Sequence, residues 1–451
     1  MSDEILIIGG GFAGLAAGVA LSQAGRRVRL IEQKPYLGGR ARSFRYTPAD
    51  TIVDNGQHIF MGCYHSTIQF LRTIGTLDRV RFQARLKVNF VGKQDGQSSL
   101  QFPGVPAPLH LILGTLCSDS FVFREKLQIL RLGRALQSGE PGAGVKDFGR
   151  LTVDRWLASL GQSETLRRKF WDLLCIAALN EVSHIAAASI FEPVLRLALF
   201  RSPEDSRIGL AAVGLSECYT AAAADFIRKR GGQVELEQNA ITLLISESGP
   251  ADACEGVQLS DGSAIKAKTV LSAVPSFQLL RLIPDKLSAR EHFFAGLTVL
   301  RPAPIISINL WFDRAVTSLD FVGLRETTIQ WLFNRSVLLG TTEGHVSLVI
   351  SGAHEHIQKE KEELVTLALQ ELKDLFPRAR QARLLHSLVV KERFATFSPC
   401  VGAAEVRPAA RTPIRGLYLA GDWTQTGLPA TIESAVKSGY TAASEIIAAG
   451  A

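Results

Sequence analysis

Four short runs of this sequence carry residue types whose spacing could do chemistry. The first is "GGGFAG". Gly9, Gly11 and Gly14 spell G-x-G-x-x-G, and an acid, Glu32, follows about 20 residues on. A glycine at the first position permits a tight turn. At the second it lets the backbone approach a pyrophosphate, and at the third it lets a helix pack closely on a sheet. Phe12 and Ala13 would open that helix, whose free N–H groups and positive dipole end attract phosphate. Glu32 can accept hydrogen bonds from both hydroxyls of a ribose. The chemistry indicated is dinucleotide binding.

The second and third runs narrow the choice of dinucleotide. "YLGGRARS" places Gly39 and Arg40 together, a thin backbone and a cation suited to phosphates. Far downstream, "GLYLAGDWTQTGLPATIESA" puts Gly421 and Asp422 at the end of a strand, and Thr431 and Ile432 near the start of a helix. Asp422 can accept a hydrogen bond from a ribityl hydroxyl. The helix N-terminus would face the flavin O2 edge, where negative charge gathers on reduction. A nicotinamide needs neither element, so the sequence predicts FAD. No motif for covalent attachment to the ring stands out, with Cys63 and Cys400 left open as thiols. Non-covalent FAD is therefore expected.

The fourth run is "DNGQHIFMGCY", Asp54 to Tyr64. It mixes polar groups and glycines with apolar bulk. Gly56, Gln57 and His58 are expected against the flavin ring, with a greasy substrate beside them. Asp54 and His58 are the candidate proton donors. His58 comes first because an unperturbed imidazole titrates near neutrality. The bland alternative for His58 is a hydrogen-bonded core histidine.

Elements must hold these runs in place. Ile5–Ile8 reads as a buried parallel strand, followed by a small-residue helix stopping at Gly25 and a second strand, "RVRLIE", ending at Glu32. Phe148 to Phe200 reads as helical, and "KEELVTLALQELKDLF" as an amphipathic helix stopped by Pro377. "GLYLAG" reads as a strand and the chain from about Ala430 as a helix. The predicted fold class is α/β: an FAD-binding Rossmann-like domain with a discontinuous, mixed substrate-binding domain.

Composition bounds the rest. The 451 residues suggest two or three domains, and 46% hydrophobic content supplies large cores. Six scattered cysteines form neither C-x-x-C nor a zinc spacing, so a reduced, cytoplasmic chain without structural metal is expected. "MSDEILIIGGG" carries acids where a secretory leader carries bases, and no apolar run nears the roughly 20 residues that span a bilayer. The net charge of +7 comes from dispersed bases with no nucleic-acid motif. A basic surface does suit anionic lipid. "QFPGVPAPLHLILGTLCSDSFVF" reads either as a membrane-facing entrance or as a plain core helix and loop.

The runs "GGGFAGLAAG", "GGRARS" and "LAGDW" resemble the amine oxidase and phytoene desaturase superfamily of flavoproteins. "VDNGQHIFMGCYHSTIQFLRTIG", "FWDLLCIAALNEV", "VVKERFATFS" and "LYLAGDWTQTGLPATIESAVKSG" are similar to the hydroxysqualene dehydroxylases, also called squalene-associated FAD-dependent desaturases, of bacterial hopanoid pathways. The resemblance spans essentially the whole chain. It implies FAD contacts at Gly9, Gly11, Gly14, Glu32, Gly39, Arg40, Gly421 and Asp422, and an adenine contact at the Val234 backbone. It implies a cofactor domain from 1–85, 208–275 and 395–451, with a substrate domain from 86–207 and 276–394. The implied reaction is reductive removal of the hydroxyl of hydroxysqualene, giving squalene, with an electron donor that no motif identifies. The implied setting is the inner face of the cytoplasmic membrane, held peripherally. Two other readings stand beside it: a carotenoid or phytoene desaturase or isomerase acting on a C30–C40 polyene, and a non-catalytic lipid carrier on the same fold. The intact glycine cradle, Glu32 and Asp422 count against the carrier.

Overall fold

The computed structural model describes residues 4–138, 147–246, 252–284, 287, 292–341 and 344–450. The first residues of the acidic opening, 1–3, lie outside these.

Ile5–Ile8 is buried at every position, as the central strand of a two-sided sheet must be. It pairs in parallel with Val28–Ile31 on one side and Thr269–Ser272 on the other. Gln233–Glu235 and Leu417–Leu419 complete a five-stranded parallel sheet. Between the first two strands runs the helix Phe12–Gln23, with ten of its twelve residues buried. Such burial requires small side chains, because the sheet lies on one side and the closing helix Ile432–Ala448 on the other. A Cβ built at Gly439 would stand 2.3 Å from the Ala13 carbonyl oxygen, so the two helices touch backbone to backbone.

A second, seven-stranded sheet is assembled from the intervening chain. Its order is Leu384–Phe397, Pro302–Phe312, Gly344–Ser351, Trp331–Asn334, Phe321–Arg325, Lys87–Gly92, Gly96–Gln101. Every pairing is antiparallel except that of Phe321–Arg325 with Lys87–Gly92. The amphipathic helix Lys361–Leu375 covers one face, burying Leu364, Ala368 and Leu372 against Ile308, Leu310 and Leu348. Helices Asp172–Leu179 and Ala188–Leu199 belong to the large core that also takes in Trp331, Phe333 and Val349. The two sheets meet around one large cavity.

Candidate active site

The cavity has a volume of about 1070 Å³. One end is backbone and polar. Gly9 turns with φ +107°, a conformation open to glycine, and Gly11 is the N-cap of the first helix at φ −83°. A Cβ built at Gly11 meets nothing within 4 Å, so the space before it belongs to whatever the cavity holds. A Cβ at Gly14 would instead stand 1.9 Å from the Gly9 carbonyl oxygen. Gly14 thus serves helix packing and does not line the cavity.

Glu32 is buried at the cavity wall. Its Oε2 accepts from the Gly10 N–H at 2.8 Å and its Oε1 from the Lys34 N–H at 2.9 Å. Both bonds leave each oxygen a lone pair, so the carboxylate braces the glycine turn and can still receive hydroxyls. Gly39 approaches Gly11, with a built Cβ 3.4 Å from the Gly11 Cα. Arg40 donates to Asp422 at 2.6 Å and to the Ala395 carbonyl at 2.8 Å. Phe12, Ala13, Gly56, Gln57, His58, Gly421, Asp422, Thr431 and Ile432 also line the cavity. Thr431 caps the closing helix, accepting from the Ser434 N–H at 3.1 Å, so that helix presents its positive end to the cavity.

Besides the FAD contact implied at Gly14, which does not line the cavity, three expectations change. Val234 does not reach the cavity: it sits in register with Leu30 in the parallel sheet, and its carbonyl accepts from Arg228 at 3.2 Å. The chain reaches the wall only after leaving the sheet, at Gln238, Asn239, Ala240 and Ile241. Asp54 does not reach it either. Its Oδ1 accepts from Ser43 Oγ at 2.7 Å and from the Leu215 N–H at 2.9 Å, while its Oδ2 pairs with buried Arg335 at 3.1 Å. A carboxylate so engaged holds distant segments together, and from behind the wall it is not placed to give a proton to a molecule in the cavity. Asp54→Asn should cost about 3 kcal/mol, because it leaves the Arg335 charge buried and unbalanced. Thermal or denaturant unfolding checks this, and wild-type stability would contradict it.

His58 lines the cavity, but its expected role reverses. Its Nδ1 lies 2.8 Å from the Gly56 carbonyl oxygen. A carbonyl only accepts, so Nδ1 carries the proton and Nε2 is bare. Burial lowers the pKa of His58 below the ordinary value, outweighing the opposing pull of Asp54. At neutral pH the ring is therefore uncharged and offers an acceptor.

A donor overlooked at the sequence level ends the same run. Tyr64 lines the cavity, and burial raises its pKa, so the phenol keeps its proton. The Thr431 side chain at the helix cap pulls the other way, and burial outweighs it. The signal was an aromatic hydroxyl inside "DNGQHIFMGCY". Cys63 also lines the cavity, and burial pushes its thiol up to about 12. A thiol held protonated is a poor nucleophile toward a flavin ring. Acid precipitation should leave the yellow chromophore in the supernatant; colour in the pellet would contradict non-covalent binding.

Beyond the polar end the wall turns apolar, with Leu86, Phe90, Phe102, Leu173, Val194 and Leu195 among its residues. Among the described residues no His, Cys, Asp and Glu cluster could hold a metal ion. The open space before Gly11, the braced Glu32 and two helix N-termini fit a flavin dinucleotide, with a long apolar limb left for a second molecule.

Comparisons with known proteins point the same way. The chain matches the family described as flavin containing amine oxidoreductase over residues 12–447. It is 29% identical to the hydroxysqualene dehydroxylase of Zymomonas mobilis, covering 97% of each chain. It is 26% identical to the 15-cis-phytoene desaturase of Synechococcus elongatus, covering 99% of this chain and 96% of that one. In fold it is similar to an oxidoreductase from Methanosarcina mazei, with a TM-score of 0.73 at 18% identity over 97% and 98% of the two chains. A putrescine oxidase shares the fold at a TM-score of 0.71 and 15% identity, over 99% of each chain. The chain belongs to the flavin containing amine oxidoreductase family and is an FAD-dependent oxidoreductase.

Proposed function

We propose that this protein removes the hydroxyl group of hydroxysqualene reductively, giving squalene. The observation that carries the reading is the continuity of one cavity from the glycine cradle into an apolar limb. A volume at or above the range of about 300–1,000 Å³ typical of ligand sites suits a dinucleotide followed by a long hydrocarbon. Similarity to a hydroxysqualene dehydroxylase over nearly the full length of both chains supports the choice of substrate.

Gly9, Gly11, Phe12, Ala13 and Glu32 would hold the adenosine and pyrophosphate portion, with Gly39 and Arg40 beside the phosphates. Gly56, Gln57, His58, Gly421, Asp422, Thr431 and Ile432 would hold the ribityl chain and the ring. Asn239 and Ala240 replace Val234 as the adenine contact. When bound and reduced, FAD supplies the electron pair and hydrogen that the carbon gains as its C–O bond breaks. The oxygen must depart as water, which takes one proton. Tyr64 is the group that can give it at neutral pH, while the bare His58 Nε2 accepts the substrate O–H and orients it. The apolar limb excludes water and holds the two hydrocarbon arms.

A desaturase acting on a C40 polyene is the second reading, favoured by the similarity to 15-cis-phytoene desaturases. Incubating the purified yellow protein with hydroxysqualene and a reductant, and separately with phytoene and an electron acceptor, distinguishes them. Squalene from the first mixture is the expected product. A conjugated polyene from the second, with no squalene from the first, would reverse the assignment.

A further inference from the structure

The fold carries an apolar surface that the chemistry of the cavity does not use. Among the described residues, six of the fifteen large hydrophobic side chains left exposed fall within one helical hairpin. They are Leu109, Leu113 and Leu116 on the helix Leu109–Cys117, then Val122, Phe123 and Leu127 at the start of the helix Phe123–Gln137. Val122 and Phe123 are 65% and 69% exposed, more than a scattered surface hydrophobe usually is.

Leu109, Leu113 and Leu116 recur at helical spacing and form one stripe. The opposite side of that helix faces inward: a Cβ at Gly114 would stand 2.3 Å from the Phe102 ring, and His110 meets the same ring edge-on. Phe102 lines the apolar limb of the cavity. The second helix rests on Phe200 through Gly133 and buries Leu132 and Leu136 in the core that includes Leu195. The hairpin is thus a thin cover, with the substrate limb beneath and an apolar stripe outside.

The exposed charges around the stripe are mostly basic, three arginines against Asp119. Arg124, Arg131 and Arg134 are exposed. Lys126 ties the hairpin together through the Leu116 carbonyl at 2.6 Å. Of the acids, Glu125 is buried and accepts from the Val122 N–H at 3.0 Å, while Asp119 is exposed and accepts from the Ser99 N–H at 3.0 Å. No helix among the described residues is long and apolar enough to cross a membrane. An apolar stripe rimmed by arginines, on a helix too short to span, matches an element that lies in the headgroup layer of an anionic bilayer.

We infer that the hairpin 109–137 is the face that docks on an anionic phospholipid membrane, so that the isoprenoid passes from the bilayer into the apolar limb beneath it. This rests on the reading that the substrate is a water-insoluble hydrocarbon. It predicts lipid binding that is independent of turnover.

Flotation of the purified flavoprotein with phosphatidylcholine vesicles, with and without phosphatidylglycerol, tests it. Wild type should float with the phosphatidylglycerol vesicles and be released by high salt. The double variant Leu113→Ser/Phe123→Ser should bind at least tenfold more weakly, and Arg131→Gln/Arg134→Gln should lose the dependence on phosphatidylglycerol. Leu385→Ser, exposed but outside the hairpin, should bind as wild type does. Flavin content and turnover of detergent-dispersed substrate should be unchanged in all of them. Undiminished flotation of Leu113→Ser/Phe123→Ser, or no flotation of wild type, overturns the inference. So does a wild-type dimer that this variant splits, because a second copy would then cover the stripe. Flotation as expected without squalene formation would sink the substrate assignment and leave the docking face standing.

Discussion

Gly11→Val protein should purify folded but colourless, with its flavin content below a tenth of wild type. The backbone at Gly11, φ −83° and ψ −174°, is open to any residue, and a Cβ there meets nothing within 4 Å. The apoprotein therefore has no reason to misfold. The isopropyl group projects into the space before the helix N-terminus, where the pyrophosphate needs bare backbone N–H groups. Gly14→Ala provides the contrast. Its Cβ would stand 1.9 Å from the Gly9 carbonyl oxygen, so the helix must shift off the turn and the whole protein should lose stability. Absorbance at the flavin band, set against far-UV circular dichroism, separates the two outcomes. A fully yellow Gly11→Val protein would place the pyrophosphate elsewhere.

Tyr64→Phe should lose roughly 10²–10⁴-fold in kcat on hydroxysqualene while keeping its flavin, the span usual for a general acid. Phenylalanine fills nearly the same volume, so only the hydroxyl and its proton are removed. The pH dependence tells the two candidate donors apart. Burial raises the pKa of Tyr64, so its proton remains available through neutral and mildly alkaline pH, and the wild-type rate should not fall between about pH 7 and 9. An acid role for His58 has the opposite signature. Its pKa is lowered, so its acid form exists only below the ordinary imidazole range, and the rate would already be falling across that interval. His58→Ala should chiefly raise KM, since the ring orients the substrate hydroxyl as an acceptor. Wild-type turnover in Tyr64→Phe, or a rate falling steadily from pH 7, would return the proton to another group.

Much of the cofactor end was legible in the chain itself, for a physical reason. A glycine turn, a helix N-cap and a strand-end acid are defined by residues within a few positions of one another. "GGGFAG" specifies its own turn, and "PATIES" its own cap at Thr431. The polar braces were not legible. Asp54 faces Arg335 from a distant part of the chain, so two ordinary charges become one buried pair only when the sheets meet. Nothing local announces that an acid beside a predicted flavin contact is already spent.

Register and protonation were likewise decided in three dimensions. Val234 and Asn239 lie five residues apart, and either could meet an adenine on paper. Pairing of Gln233–Glu235 with Arg29–Ile31 buries Val234 in the sheet and delivers Asn239 to the wall. The imidazole of His58 is near neutrality as a side chain in water. Desolvation leaves it uncharged against the opposing pull of the Gly56 carbonyl, which fixes the proton on Nδ1 and leaves Nε2 to accept, and neither can be read from "DNGQHIF". The apolar run at 109–116 shows the same division. Its composition is open to a membrane-facing entrance or a plain core helix and loop, and the structure makes Leu109–Cys117 a helix. Which side of that helix is covered depended on Gly114 meeting Phe102, a contact across the fold that left the leucines outside. Local backbone chemistry determines turns, caps and periodicity; partners, burial and charge state belong to contacts that exist only once distant segments have packed.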